Sequence, residues 1–512
     1  MTTSASDPNR SDPGHPGPGA PGSAATESDG RRDDGARDKP LDTATVTPGP
    51  SGDPATPTQT ASPTALRFPR TRAYLARHEF LASVLKVMSG TGVAQLVAML
   101  AILYVTHHVS PTQWGVYTAV ASASGFIVPI ATWRYEMAIV LPRDDREARS
   151  LFNLATKINI GMSALSTLAM IPLGGYLADL LSAPPGTHWW MLAVGPFILT
   201  YAQYNIVNFW ANRRKRFGTI GTNAVWKQFV TAAARLASAS LGFGAGGQVA
   251  SAVLGSVAGL SNFQRRLGSD LTDIKPSGIS TRALMRKYRK MPLLTGPNSL
   301  VDAIRLQGIP WSLGIYFNAA TMGLFGMAWA LMQVPASVIN QAMSQVFYQK
   351  LSVTDAGRMF PIVRKAMLRS ALIAVVPFVA LYFLVPPVLP MLLGAKYAPA
   401  APIAVALIPW LYLNFITSPV SNLFIVTRNN GLALAFATVY MIVPLVYLNR
   451  RHVEIVDSVT GMSNIMAGLL AFYVVLALVV AKVHDKRHGG LDAQASAAEN
   501  AEQTDAVGNE QL

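Results

Sequence analysis

From Leu81 to Val483 the chain returns repeatedly to mostly apolar stretches of 18 or more residues. A helix rising 1.5 Å per residue needs about 20 such residues to cross a hydrocarbon core of roughly 30 Å. Each stretch is therefore a candidate membrane span. Twelve can be drawn: 82–106, 114–141, 151–182, 189–212, 219–243, 247–264, 292–317, 320–349, 361–386, 399–426, 431–449 and 458–482. Several exceed the minimum, which implies tilt or extension beyond the lipid. Composition agrees. Charged residues are 13% of the chain and hydrophobic residues 51%, whereas soluble domains carry about 25% charged residues. The expected class is an all-α polytopic membrane protein, not a soluble enzyme.

Both ends differ from the core. Residues 1–65 are rich in Pro, Gly, Ser, Thr and Asp, with nine acids against five bases. Such a segment cannot bury enough apolar surface to offset its ordering entropy, so disorder is expected. It has no apolar run of signal-peptide type. Residues 485–512 read as a second acidic, disordered tail, with six acids against two bases. The basic balance of the whole chain, +15, is thus carried by the region between the tails. There the bases sit in short loops, unlike the clustered surface of a nucleic-acid binder. Arg67, Arg70, Arg72 and Arg77 precede the first span; Arg143 and Arg146 follow the second; Arg213, Arg214, Lys215 and Arg216 follow the fourth. Lys287, Arg289 and Lys290 lie between the sixth and seventh, Arg364 and Lys365 follow the eighth, and Lys486 and Arg487 follow the twelfth. The alternate loops His107–Gln113, Ser182–His188 and Gly242–Gln248 are nearly free of Lys and Arg. The positive-inside rule then places both termini in the cytoplasm. Arg450 and Arg451 fall on the other side and make the eleventh span the exception.

The longest basic-side loop, 265–291, divides the chain into a six-helix bundle over 66–264 and another over 292–484. A faint echo relates the halves. Gly115-Val-Tyr117 opens the second span and Gly323-Leu-Phe325 the eighth, with Pro129 and Pro335 following. Repeats of this kind suit transporters, whose sites lie between the halves.

Ionisable groups inside apolar spans carry the functional signal, because a mid-bilayer charge costs roughly 2.5–3.5 kcal/mol even on insertion scales. Arg305 lies ~21 Å along the seventh span, at 1.5 Å per residue. Asn298, Asp302 and Arg305 share a helix face. They either serve substrate or gating, or form an Asp302–Arg305 pair that ties helices together. Lys227 is near mid-depth of the fifth span, and Arg235 follows eight residues later on a similar face, although it could reach the outer interface. Lys86 and Lys157, near span ends, read as snorkelling residues. Arg134 and Glu136 are two apart, so on a helix they would not face each other. Each is expected to pair with a neighbouring helix, with a role in the inner gate or the substrate path open. Asn205, Asn208 and Asn212 form a polar stripe that either lines a cavity or bonds to adjacent helices. Trp189, Trp190 and Trp210 read as interface anchors.

No catalytic pair, metal cluster or cofactor motif is evident. The chain has no cysteine, and no phosphate-binding loop of the ATPase type. Its outer loops are too short to hold an active site.

Three stretches in order are similar to a known family: Trp133-Arg134-Tyr135-Glu136-Met137-Ala138-Ile139-Val140-Leu141-Pro142, Asn208-Phe209-Trp210-Ala211-Asn212-Arg213-Arg214-Lys215-Arg216-Phe217, and Lys287-Tyr288-Arg289-Lys290-Met291-Pro292-Leu293, with Ile309-Pro310 beyond. Over roughly 80–485 the chain resembles the polysaccharide biosynthesis (oligosaccharide flippase) family of the multidrug/oligosaccharidyl-lipid/polysaccharide exporter superfamily. The resemblance implies two six-helix bundles in a V around a central cavity. It also implies alternating-access transport of undecaprenyl-diphosphate-linked oligosaccharides across the bacterial inner membrane, for O-antigen, capsule or exopolysaccharide synthesis. Arg305, Lys227, Arg134, Arg235 and the three asparagines would then line the cavity, and Asp302 and Glu136 would be candidates for ion coupling or gating. The expected partners are the lipid-linked oligosaccharide, membrane lipid, and the polysaccharide polymerase and export machinery. Three other readings stay open: a cation-coupled drug exporter, a peptidoglycan-precursor flippase, and a glycan polymerase or ligase.

Overall fold

The computed structural model describes residues 79–333, 359–421, 423–427, 429–451 and 454–509, with side chains from 92 to 486 except Ile425. The acidic N-terminal tail, the four arginines before the first span, the side chain of Lys86, Pro335 and the eighth span beyond 333 lie outside the described residues.

Among the described residues the structure is helical, with no strand. The first half comprises α1 (Glu79–His108), α2 (Pro111–Ile127), α3 (Tyr135–Ala138), α4 (Asp145–Leu180), α5 (Thr187–Met191), α6 (Val194–Arg213), α7 (Phe217–Ser240) and α8 (Gly244–Asp273). After α9 (Thr281–Lys287) come α10 (Lys290–Tyr316), α11 (319–333), α12 (Met359–Leu393), α13 (Ala400–Ala406), α14 (Ile408–Thr417), α15 (Leu423–Val426), α16 (Asn430–Arg450) and α17 (Ile455–Asn509). The short connections alternate between a base-poor end, at 108–111, 181–187, 240–244 and 316–319, and a basic end, at 139–145, 213–217 and 273–290.

Among the described residues four helices are long and apolar enough to cross a membrane: Asp145–Leu180, Met359–Leu393, Asn430–Arg450 and Ile455–Lys486. A fifth is added if Ala400–Ala406 and Ile408–Val420, bent by 40°, form one span. Their outward faces are apolar. Leu168, Ile171, Val376 and Met391 are 62%, 65%, 73% and 83% exposed, which water would oppose and lipid tolerates. The helices that fall short of this test include α7 and α10, interrupted by Lys227, Gln228, Arg235, Asp302 and Arg305.

Local sequence sets the helix starts. At α2, Ser110 and Gln113 form a reciprocal capping box with Pro111 in the first turn, satisfying donors that a helix start leaves free. Asp144 caps α4 through the Arg146 amide, and Asp145 and Glu147 favour its positive N-terminal dipole. α17 runs as helix to Asn509, where the acidic composition suggests a disordered tail. The run Ala493–Gln503, rich in Ala, Glu and Gln, has high helix propensity.

The second expected span departs from a continuous helix. After Ile127 the chain turns through 128–134 before α3. Trp133 and Arg134 both adopt left-handed backbone, with φ of 50° and 61°, a conformation strained for residues with side chains.

At the base-poor end the halves touch through backbone. α2 crosses α11 so closely at Gly115 and Gly323 that a Cβ on Gly115 would fall on the Ala319 carbonyl, and one on Gly323 on the Pro111 carbonyl. The two glycines of the internal echo thus meet each other. The Ala319 amide donates to the Leu181 carbonyl at 2.8 Å, and the Tyr397 hydroxyl to the Val109 carbonyl at 3.2 Å, across the same seam.

Candidate functional site

A cavity of about 650 Å³ lies between the halves, walled by α1, α2, α6, α7 and α8 on one side and by α10 and α11 on the other. Its charged lining residues are Lys227 and Arg235, both from α7; no Asp or Glu lines it among the described residues. The amides Gln95, Gln228, Gln307 and Gln333 supply neutral polarity, and Trp114, Tyr117, Tyr201 and Trp329 supply aromatic faces.

Arg235 is 7% exposed. Its Nη2 donates to the Tyr117 hydroxyl at 2.6 Å, and the guanidinium lies 5.4 Å from the Trp114 ring centre and 5.0 Å from that of Tyr117. Its buried Nε has no partner. The expected reach of Arg235 to the outer interface is replaced by this inward aromatic setting. Lys227 is half-buried, with its ammonium 4.2 Å from the Tyr204 ring centre and 4.8 Å from that of Tyr201. Neither cation has an ion pair among the described residues. Ring quadrupoles attract a cation by about 0.5–2 kcal/mol but do not neutralise it. Two poorly neutralised cations in a low-dielectric chamber attract an anion strongly.

The other expected site residues lie elsewhere. Arg305 does not line this cavity. It pairs with Asp302 at 3.3 Å and lies 4.8 Å from the ring centre of Tyr440 on α16. The link back to the cavity is aromatic: the Trp410 indole donates to the Tyr440 hydroxyl at 2.6 Å, and Trp410 stacks on Trp329 at 4.7 Å. Arg305 therefore supports the cavity wall from behind. Arg134 and Glu136 also lie outside the cavity. Contrary to the helical argument, they pair with each other, at 3.5 Å, because the chain is not helical at Arg134. Glu136 also accepts from the Thr132 hydroxyl. The asparagines form no single lining. Asn205 and Asn208 are half-buried on α6, the Asn208 Oδ1 has no partner, and Asn212 is exposed at the basic end. Trp210, expected as an interface anchor, is fully buried and meets Phe152 edge-on at 5.9 Å. Trp189 and Trp190, at the base-poor end, are 67% and 41% exposed.

The three motif stretches converge at the basic end. Arg213 donates to Asp145 at 2.6 Å and 3.0 Å and to the carbonyls of Ile139 and Pro142 at 3.2 Å and 2.6 Å. Arg214 pairs with Asp145 at 3.0 Å and Asp270 at 3.4 Å. The Tyr135 hydroxyl donates to the Met285 carbonyl at 3.2 Å. Glu147 accepts from Lys287 and from the Tyr288 hydroxyl, the latter at 3.1 Å. The bond to Glu147 holds the Lys287 ammonium above the ordinary lysine range. Partial burial, then the same bond, pushes the Tyr288 phenol up. These arginines are structural ties.

Sequence reasoning missed the aromatic partners Trp114, Tyr117, Tyr201 and Tyr204, because aromatic residues are ordinary in apolar helices. The spacing of Tyr201 and Tyr204, three residues apart on one face, was the available signal.

A polytopic helical membrane protein with a cationic chamber between its halves, lined by no Asp or Glu among the described residues, is the class that these features define. The chain belongs to the polysaccharide biosynthesis protein family, whose profile matches residues 107–402, more than half its length. No curated protein matches its sequence. Its fold is that of known transporters. It is similar to the lipid II flippase MurJ in an inward closed conformation (TM-score 0.59, 13% identity, 78% of this chain and 90% of that one). It is also similar to an inward-facing multidrug resistance MATE family transporter of the MOP superfamily (TM-score 0.56, 12% identity, 77% and 96%). A third similarity is to the MATE multidrug transporter DinF-BH (TM-score 0.52, 14% identity, 80% and 95%).

Proposed function

We propose that this chain is a flippase. It carries undecaprenyl-diphosphate-linked oligosaccharide repeat units from the inner to the outer leaflet of the bacterial inner membrane, for O-antigen, capsule or exopolysaccharide synthesis. In this reading twelve helices in two bundles of six open alternately to either side, and both termini are cytoplasmic. The observation that carries it is the pair Lys227 and Arg235, which share a cavity between the halves that no acid lines among the described residues.

The physical problem is the head group. Moving unpaired hydroxyls into hydrocarbon costs several kcal/mol each, and bare charge far more. The cavity replaces water with amides, hydroxyls, aromatic faces and two cations, while the prenyl tail stays in lipid. Lys227 meets the diphosphate. An inside-negative potential favours outward movement of negative charge by about 2.3 kcal/mol per charge per 100 mV, so transport needs no ATPase of its own. The exposed Asp302 and the Glu136 carboxylate remain candidates for coupling to a proton or cation. The polymerase and export machinery would receive the product.

A cationic-drug exporter would need acids where this cavity has none among the described residues, and a polymerase or ligase would need a catalytic group. A peptidoglycan-precursor flippase shares the diphosphate chemistry and is separated by complementation. In a strain lacking the protein, lipid-linked repeat units should accumulate in the inner leaflet, and the full chain should restore their export. Normal export without it, or rescue only of a peptidoglycan-flippase deletion, would overturn the assignment.

A further inference from the structure

We infer that the glycan carried on the lipid bears its own acidic group, a uronate or similar carboxylate, and that Arg235 receives it; this rests on the flippase reading above.

The two cavity cations cannot serve one diphosphate. They are eight residues apart on α7, which separates their Cα atoms by about 12 Å along the axis at 1.5 Å per residue. Their side chains also diverge. Lys227 reaches towards α6, where Tyr201 and Tyr204 hold it. Arg235 reaches towards α2, where Trp114 and Tyr117 hold it. A diphosphate is two directly linked phosphoryl groups, much shorter than two helical turns, so a single one leaves one cation unmatched. Between the cations α7 presents Gln228 to the same cavity and α10 presents Gln307, while the Thr231 hydroxyl there is taken up by the Lys227 carbonyl at 2.9 Å. The two amides donate to and accept from sugar hydroxyls without demanding charge. The lining therefore reads along its length as cation, neutral polar stretch, cation.

Orientation follows from position. Lys227 is nearer the basic end and Arg235 nearer the base-poor end, where α2 and α11 cross at Gly115 and Gly323. A head group entering from the basic end goes in sugar-first, with its diphosphate trailing. Arg235 then meets a distal part of the glycan and Lys227 the diphosphate.

Arg235 is built for a carboxylate. It is more than nine-tenths buried, one terminal nitrogen is engaged by Tyr117, and Nε is left without a partner. A carboxylate placed against the guanidinium from the cavity side would compensate this charge in the planar manner that guanidinium favours. A neutral sugar leaves the charge uncompensated.

The test uses the full chain in proteoliposomes with two synthetic probes. One is a polyprenyl-diphosphate disaccharide ending in glucuronate; the other is the same lipid ending in glucose. Flipping is read by access of a membrane-impermeant glycosidase. Wild type should move the glucuronate probe about tenfold faster, the ratio equivalent to one charge-assisted hydrogen bond. Arg235→Gln should bring the ratio to about one, and Arg235→Lys should restore part of it. Lys227→Gln should slow both probes by a similar factor. Equal wild-type rates on the two probes would overturn the inference while leaving the flippase reading intact, and this comparison does not depend on any variant folding. An unchanged ratio in a folded Arg235→Gln protein would overturn it too. If wild type moves neither probe, the flippase reading fails and this inference falls with it.

Discussion

Arginine and lysine occupy two regions of the molecule in opposite electrostatic settings. At the basic end Arg213, Arg214 and Lys287 are matched by Asp145, Asp270 and Glu147. In the chamber Lys227 and Arg235 meet tyrosines and a tryptophan but no acid among the described residues. A matched cation fixes backbone: Arg213 holds the carbonyls of Ile139 and Pro142 and so closes the turn after α3. An unmatched cation keeps its charge for something that arrives later. On the flippase reading proposed above, the contrast separates residues that maintain the fold from residues that act on cargo.

Arg213→Ala tests the first half of that contrast and should have the largest effect. It removes a nearly buried charge and four hydrogen bonds, and should lower stability by about 2 kcal/mol. Thermal melting of the detergent-solubilised protein checks this, and Arg213→Lys should recover only part, since ammonium lacks the fork. Lys227→Gln should do the reverse. Export should fall about tenfold while the melting temperature stays near wild type; a comparable loss of stability would erase the distinction. Arg305→Ala should sit between, with a partial loss of export matched by Tyr440→Leu. The double variant should be no worse than either single one if both act through the Trp410–Trp329 wall.

The smallest effect concerns Glu147. Folding raises the affinities of Lys287 and Tyr288 for their protons. Groups whose folded value is raised contribute stability that is complete below the unfolded value and is lost as pH rises through the folded one. Glu147→Gln should therefore melt slightly below wild type at neutral pH. The gap should close in the alkaline range, where Lys287 and Tyr288 deprotonate. Lys287 is exposed, so the gap is small.

The helices were legible because apolar run length is a direct readout of lipid thickness. Lys227 and Arg235 were legible as candidates because charge in such runs is unusual. What the sequence hid was direction. Arg235 and Arg305 look equivalent as letters in apolar helices, yet one faces the chamber and the other backs onto Tyr440. Helical spacing forbade the Arg134–Glu136 pair only because it assumed a helix, and left-handed backbone at Trp133 and Arg134 removed that assumption. Trp210 looked like an anchor by its place near a span end, but the packing of α4 on α6 encloses it.

The crossing of α2 over α11 has a mechanical consequence. Side chains that interlock must be pulled out of one another before two surfaces can part, whereas bare backbone at Gly115 and Gly323 offers nothing to disengage. On the transport reading above, such a join works like a smooth latch whose catch is the pair of hydrogen bonds beside it, Ala319 to Leu181 and Tyr397 to Val109. Any bulkier residue there would act as a doorstop and hold the base-poor end ajar.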